Sequence, residues 1–311
     1  MKPFHFLADA RAPMPARALA ERARHAEAVG YHAFAIPDHV MDQMSPVPAM
    51  AAFAAVTERL RVMPFVLNND LRHPAVVAQD LASIDVLSEG RLDVAIGAGW
   101  NRAEYDALGI AFVPQRVRSE RLAEAVAVLK GCFGDGPFSF EGRYYSIHEH
   151  DGGPKPAQRP HPPLMIGGGG RRTLTLAARE AQIVGLAPRH AGLRDAYSIT
   201  WEAAVEKVGW VREAAGERFD SLTLNIYPTA IEPIITDDAR GEARRVAELL
   251  APTSTAPLTE DQVLDSPHLF IGSLAGLEEK FLRLREELGI SSIMVGEPGP
   301  LDPIVERLAG T

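Results

Sequence analysis

The chain has 311 residues, 46% apolar and 23% charged, which is enough to bury a sizeable core. Its formal charge of −9, with arginines scattered rather than striped, excludes general nucleic-acid binding, and no run approaches the roughly 20 apolar residues of a membrane span. One cysteine, Cys132, excludes an internal disulfide and reads as a small apolar helix residue in a reducing compartment. The opening "MKPFHFLADA" lacks the apolar stretch and cleavage site of a signal peptide, so a cytoplasmic location is expected.

Short apolar runs alternate with segments of helical period. Phe4–Asp9 predicts a first strand, and the Ala-, Glu- and Arg-rich stretch after it predicts a helix closed by Gly30. Tyr31–Ile36 is a second strand, stopped by Pro37, and "VPAMAAFAAVTE" is a short helix. Arg59–Asn68 is a third strand, in which Pro64 marks an irregular segment. The next helix starts near Pro74, with Val77, Leu81 and Ile84 on one face and Gly90 beyond its end. "RLDVAIGAG" is a fourth strand, and Leu122, Val126 and Leu129 line the helix that follows.

The rhythm breaks at Gly134–Pro163, where turn residues and alternating aromatics predict a small hairpin and an extended linker. "LMIGG", from Leu164, resumes it as a fifth strand with its helix. "QIVGLA" is a sixth strand and "SLTLNIYPTAI" a seventh. Glu232–Pro267 is an acidic insertion with one helix, "DARGEARRVAELLA". Leu277, Phe281, Leu284 and Leu288 stripe a strongly amphipathic helix, and Ser291–Gly296 is the eighth strand, with a closing helix behind it. Such alternation predicts an α/β fold, a single (β/α)8 TIM-type barrel over residues 1–311. Its insertions follow strands four and seven: an excursion at 134–163 and a lid at 232–267.

In a barrel the chemistry sits at the C-terminal strand ends. Strand two ends in Pro37-Asp38-His39, where His39 is a candidate general acid or base and Asp38 reads either as its partner or as a turn former. Strand three ends in Asn68, Asn69 and Asp70. Strand four ends in "GAGWNRAEY": Gly97, Ala98 and Gly99 allow close ligand approach, Trp100 and Tyr105 offer pocket walls, and Glu104 is a candidate acid. Asn101 and Glu104 also fit a helix capping box.

Strand five ends in Gly167, Gly168, Gly169 and Gly170, followed by Arg171 and Arg172. Neither nucleotide fingerprint matches, because Arg172 stands where GxGxxG needs its third glycine and no GK[ST] follows. Two readings stay open, an anion cradle at a helix start and a tight turn with positive φ. Strands six and seven end in "LAPRH", with His190, and in "NIYP". His148 and His150 alternate within the excursion, away from the strand ends, so no metal site is expected.

Taken together, "AEAVGYHAFAIPDHV", the long segment through "SEGRLDVAIGAGWNRAEYDALGI", "RPHPPLMIGGGGRRTLTLAARE" and "FIGSLAGLEEKFLRLREELGI" resemble the bacterial luciferase-like monooxygenase superfamily. More narrowly they resemble its coenzyme F420-dependent oxidoreductase branch. The resemblance implies a TIM-like barrel binding F420, or alternatively FMN, at its mouth. It implies a bulge near Asn68, often with a non-proline cis peptide, that supports the coenzyme ring. Asp38 would face the coenzyme along with Gly97, Ala98 and Gly99. His39, with Glu104, would be catalytic, and Trp100 and Tyr105 would line the substrate pocket. Gly167 to Gly170 and Arg171 would bind the coenzyme phosphate. The expected function is hydride transfer between F420 and a small organic substrate. The alternatives are an FMN-dependent monooxygenase needing a flavin reductase and a barrel that binds without turnover. Relatives of this kind are commonly homodimers. The loop after His39 is short here, so substrate contacts that relatives place there lack a counterpart.

Overall fold

The computed structural model describes residues 1–189, 195–228, 231–253 and 256–311. His190 of the sixth strand end, Thr229 and Ala230 of the predicted seventh strand, and Ser254 and Thr255 of the insertion lie outside the described residues. The chain forms two compact units, one of Met1–Asp9, Ala28–His32 and Ile166–Thr311, the other of Ala10–Glu27 and Ala33–Met165.

In the second unit, β2 (Ala33–Ile36) pairs in parallel with β3 (Arg61–Pro64), and β4 (Leu67–Asn68) pairs in parallel with β5 (Val94–Gly97). All four residues of β2 and of β5 are buried, as in parallel sheets covered on both faces. The covering helices are α2 (Pro46–Val56), α3 (Pro74–Leu87), the short α4 (Arg102–Leu108) and the long α5 (Gln115–Phe133). Phe34, Met50, Phe53, Leu67, Ile96, Leu122 and Leu129 fill this core.

The predicted third strand is thus two strands. Pro64 closes β3, because it has no N–H to continue the ladder, and a cis peptide joins Phe65 to Val66 before β4 begins. The excursion forms the expected hairpin, β6 (Phe138–Glu141) antiparallel to β7 (Ser146–His150). Its turn is pinned to α5 by Glu124, whose carboxylate accepts from the amides of Arg143, Tyr144 and Tyr145 at 2.8–3.1 Å.

In the first unit, β1 (His5–Asp9) pairs with β13 (Ile290–Gly296), β13 with β10 (Thr223–Ile226), and β10 with β9 (Ile183–Leu186), all parallel. The fifth predicted strand is β8 (Leu164–Gly168), beside β9. β10 stops at Ile226, shorter than its predicted extent. Here the helices are α6 (Arg171–Glu180), α7 (Trp201–Ala215), α10 (Leu274–Leu288) and α11 (Asp302–Leu308). The apolar stripe of α10 is buried as its period requires, and Gly289 caps it in the left-handed conformation at φ 71°.

Residues 232–267 contain β11 (Ile234–Ile235), α8 (Ala239–Leu250) and α9 (Glu260–Asp265), and β11 pairs with β12 (Ile271–Gly272). Ala243, Val246, Leu250, Leu258 and Val263 pack there on Ala196, Ile199 and Leu269. The sequence reading gave this insertion one helix; it has a second helix, and its apolar side chains form a core shared with Ala196, Ile199, Leu269 and Ile271 outside it.

Candidate functional site

The ends of β2, β4 and β5 place three acidic residues and their partners in one network. Asp38, two residues beyond β2, is buried. Its carboxylate accepts a bidentate pair from Arg72, at 2.7 and 3.0 Å, and the main-chain N–H of Asn68 at 2.9 Å. Both oxygens are therefore engaged by the protein. Asp38 fastens the end of β2 to β4 and orients the half-buried Arg72.

His39 Nδ1 lies 2.7 Å from Glu104 Oε1. Glu104 is buried, whereas the His39 side chain is about 30% exposed. A carboxylate only accepts, so Nδ1 carries the hydrogen and Nε2 is the nitrogen left to exchange a proton. Trp100, more than half exposed, meets the imidazole edge-on at 5.8 Å. The capping-box alternative does not form: Asn101 makes no side-chain cap, and the Glu104 carboxylate turns to His39 instead.

Behind this pair, Tyr105 is fully buried and so backs the site rather than lining its surface. Its hydroxyl donates toward Asn68 Oδ1 at 3.0 Å and Asp70 Oδ2 at 3.1 Å. Burial, then the charge of Asp70, pushes its phenol up to about 12. Arg121, from α5, pairs with Asp70 at 2.9 Å, and Asn69 donates to the Tyr145 hydroxyl at 3.2 Å. Gly99 adopts a φ of +72°, and a Cβ on it would fall 2.0 Å from the Tyr105 hydroxyl and 2.5 Å from Asn68 Oδ1. Gly99 is glycine because these two groups occupy the space a side chain needs. Gly97 closes β5 and Ala98 is buried beside it.

The turn from β8 to α6, in the first unit, is built differently. Gly170 is extended, at φ −117° and ψ 153°, and none of the four glycines takes a left-handed φ, so the tight-turn reading does not hold. Close approach explains two of them. A Cβ on Gly168 would meet Thr173 at 2.5 Å, and one on Gly169 would meet the main chain of Ala187 and Pro188 at 2.9 Å. A Cβ on Gly170 would meet nothing within 4 Å. Helix α6 starts at Arg171 with no side-chain cap from Gly170, so the N–H groups of its first turn face this glycine bend. The Arg171 guanidinium is held by Glu213 of α7 at 2.7 Å, in an exposed pair.

Sequence reasoning named Asn69 and Asp70 without roles and passed over Arg72 and Arg121. "NNDLRH" carried a signal in its density of polar groups. Arg121 carried none, since it lies 51 residues from Asp70 on another element. Among the described residues no group of three His, Cys, Asp or Glu side chains is arranged to hold a metal ion, and no helix is long and apolar enough to cross a membrane.

Known proteins resemble the chain along most of its length. Over 138 residues it is 35% identical to an FMNH2-dependent dimethylsulfone monooxygenase of Pseudomonas putida, 44% of this chain and 38% of that one. Over 165 residues it is 30% identical to an F420-dependent glucose-6-phosphate dehydrogenase of Microbacterium testaceum, 50% of this chain and 48% of that one. Each match spans less than half of the relative's length. The solved coenzyme F420-dependent tetrahydromethanopterin reductase of Methanopyrus kandleri covers 98% of this chain and 96% of its own, with a TM-score of 0.76 at 19% identity. That likeness shows the fold, the (β/α)8 class expected from the alternation of strands and helices. The family model described as luciferase-like monooxygenase matches residues 1–298, nearly the whole chain, and the chain belongs to that family.

Proposed function

We propose that the chain is an oxidoreductase that moves a hydride between the deazaflavin coenzyme F420 and a small organic substrate. The observation that carries this reading is the His39–Glu104 pair, a partly exposed imidazole fixed by a buried carboxylate beyond the end of a barrel strand. The coenzyme supplies the hydride chemistry when bound. The chain's own residues orient reactants, exclude water and handle the proton. His39 Nε2 gives or takes the substrate proton while Glu104 holds the ring and stabilises its charged form. Asp38 and Arg72 fix the end of β4, and Gly97, Ala98 and Gly99 keep the backbone beside them close to the ring. Trp100 walls the substrate side. The amides from Gly168 to Arg171, with Gly167 leading into them, are the proposed phosphate contacts. The residues fit such a group: the Asn68 side-chain nitrogen makes no hydrogen bond among the described residues, and a Cβ added at Gly170 would meet nothing within 4 Å. The insertion at 232–267 is the candidate lid, moving as one packed piece. The lone buried cysteine supports a cytoplasmic location.

A second reading is favoured by the Pseudomonas putida relative, which names FMNH2. It makes the chain a two-component monooxygenase fed by a flavin reductase. Titrating the purified chain with F420 and with reduced FMN, by fluorescence, separates the two. Tight F420 binding with turnover in the absence of oxygen is expected. Tight binding of reduced FMN with none of F420 would establish the second reading, and binding without turnover over a broad substrate panel would leave a binding barrel. Light scattering on the same sample is expected to show a homodimer.

A further inference from the structure

We propose that Tyr105 is a positioning residue whose hydroxyl, together with the Asp70 amide, locks the Asn68 side chain so that its NH2 group faces an acceptor oxygen of the coenzyme ring. The proposal rests on the coenzyme-binding reading above and adds the device that sets the direction of one of its hydrogen bonds.

The orientation of the Asn68 amide follows from its partners. The main-chain N–H of Asp70 can only donate, and it lies 3.1 Å from one terminal atom of Asn68, which is therefore the oxygen. The Tyr105 hydroxyl reaches the same oxygen at 3.0 Å. Asp70 sits on the other side of that hydroxyl, at 3.1 Å, and is itself held by Arg121 at 2.9 Å. The Asp70 N–H fixes the amide orientation, and the single Tyr105 hydroxyl hydrogen, shared between that oxygen and Asp70 Oδ2, holds the amide there. Its nitrogen makes no hydrogen bond within the described residues, yet it is not sealed from solvent, although Asn68 as a whole is buried. Two donor hydrogens are thus left without a protein acceptor on a fixed side chain at the end of β4, available to a carbonyl oxygen. Gly99 belongs to the same device, since any side chain there would collide with both the hydroxyl and the amide oxygen.

A purely packing role for Tyr105 predicts a different outcome when the hydroxyl alone is removed. Tyr105→Phe keeps the ring and its edge-on contact with Phe112 at 4.9 Å, but frees the amide to turn. The test measures F420 and reduced FMN dissociation constants for the parent chain, Tyr105→Phe, Asn68→Ala and the double variant, with melting temperatures alongside. Each single variant is expected to loosen the coenzyme about tenfold, and the double variant to bind no more weakly than Asn68→Ala. Asn68→Asp keeps an acceptor for both donors while removing the outward hydrogens, so it is expected to lose coenzyme binding and still fold. Parent-like binding by Tyr105→Phe, a loss that adds in full to that of Asn68→Ala, or parent-like binding by Asn68→Asp overturns the proposal. If the parent chain binds neither coenzyme, the functional reading fails separately, and the lock is then read in the coenzyme-free protein by proton–nitrogen NMR of side-chain amides. There Tyr105→Phe is expected to move the Asn68 resonances and leave those of Asn225 in place. Unmoved Asn68 resonances overturn the lock.

Discussion

The ends of β4 and β5 and the end of β8, both proposed to meet the coenzyme, are built by opposite means. At the ends of β2, β4 and β5 nearly every polar atom of Asp38, Asp70 and Glu104 is bound by another side chain or amide, and the residues proposed to meet a ligand are those held last in line, His39 and Asn68. At β8 no side chain of Gly167 to Gly170 exists to be held, and Arg171 is turned away to Glu213. Shape there is set by the bare glycine backbone packed against the Thr173 side chain and the main chain of Ala187 and Pro188. The first region is therefore sensitive to charge and to hydrogen-bond direction, the second to volume.

Three substitutions and one pH series sharpen or break that contrast. The largest effect is expected from Arg72→Met, which leaves the buried Asp38 carboxylate with only the Asn68 N–H. Denaturant unfolding should show a loss of about 3 kcal/mol, and a change below about 1 kcal/mol would mean that solvent reaches Asp38 after all. Gly169→Ala pushes a methyl into the main chain of Ala187 and Pro188, neither of which is a flexible side-chain end. A loss of about 2 kcal/mol is expected by the same measurement, with no dependence on salt.

Tyr105 links stability to alkaline pH. Its phenol is raised in the folded chain from 10.0 to about 12, so the stability it contributes is complete below pH 10 and is lost as pH climbs from there to about 12. The parent should lose about 2 kcal/mol more than Tyr105→Phe across that window, and parallel curves would show that the hydroxyl is not confined as described. The smallest effect is expected from Gly170→Ala, where the backbone is extended and nothing lies within 4 Å. Its stability should stay within about 0.5 kcal/mol of the parent. Coenzyme affinity should nonetheless fall, because the methyl enters the space assigned to the phosphate; unchanged affinity would remove this turn from the binding site.

The architecture was legible because the alternation of apolar runs and helical periods survives in every part of the chain, and because Gly30 and Gly90 mark helix ends. The strand-end rule then pointed to His39, Asp38, Asn68 and Glu104 before any coordinate was known. What it lacked was direction. "NRAE" satisfies a capping box and a His partner equally well in sequence, and only the buried position of Glu104 decides between them. Tyr105 reads as a pocket wall until its burial places it behind Gly99. The glycine run reads as an anion cradle or a left-handed turn, whereas Gly168 and Gly169 are needed for close approach to Thr173 and to the main chain of Ala187 and Pro188, which the sequence does not show. The break at Phe65–Val66 was signalled among the residues by Pro64 and, through the family resemblance, by the cis peptide expected near Asn68.

The central claim is that His39, fixed by Glu104, handles the substrate proton while the coenzyme is held by other groups. Anaerobic stopped-flow measurement of coenzyme reduction in the parent and in His39→Gln tests it most directly. The account predicts that His39→Gln keeps its F420 affinity within about threefold while the hydride-transfer step slows by about 10²–10⁴-fold. A parent-like rate in His39→Gln, or a slowed rate that tracks an equal loss of coenzyme affinity, would contradict it.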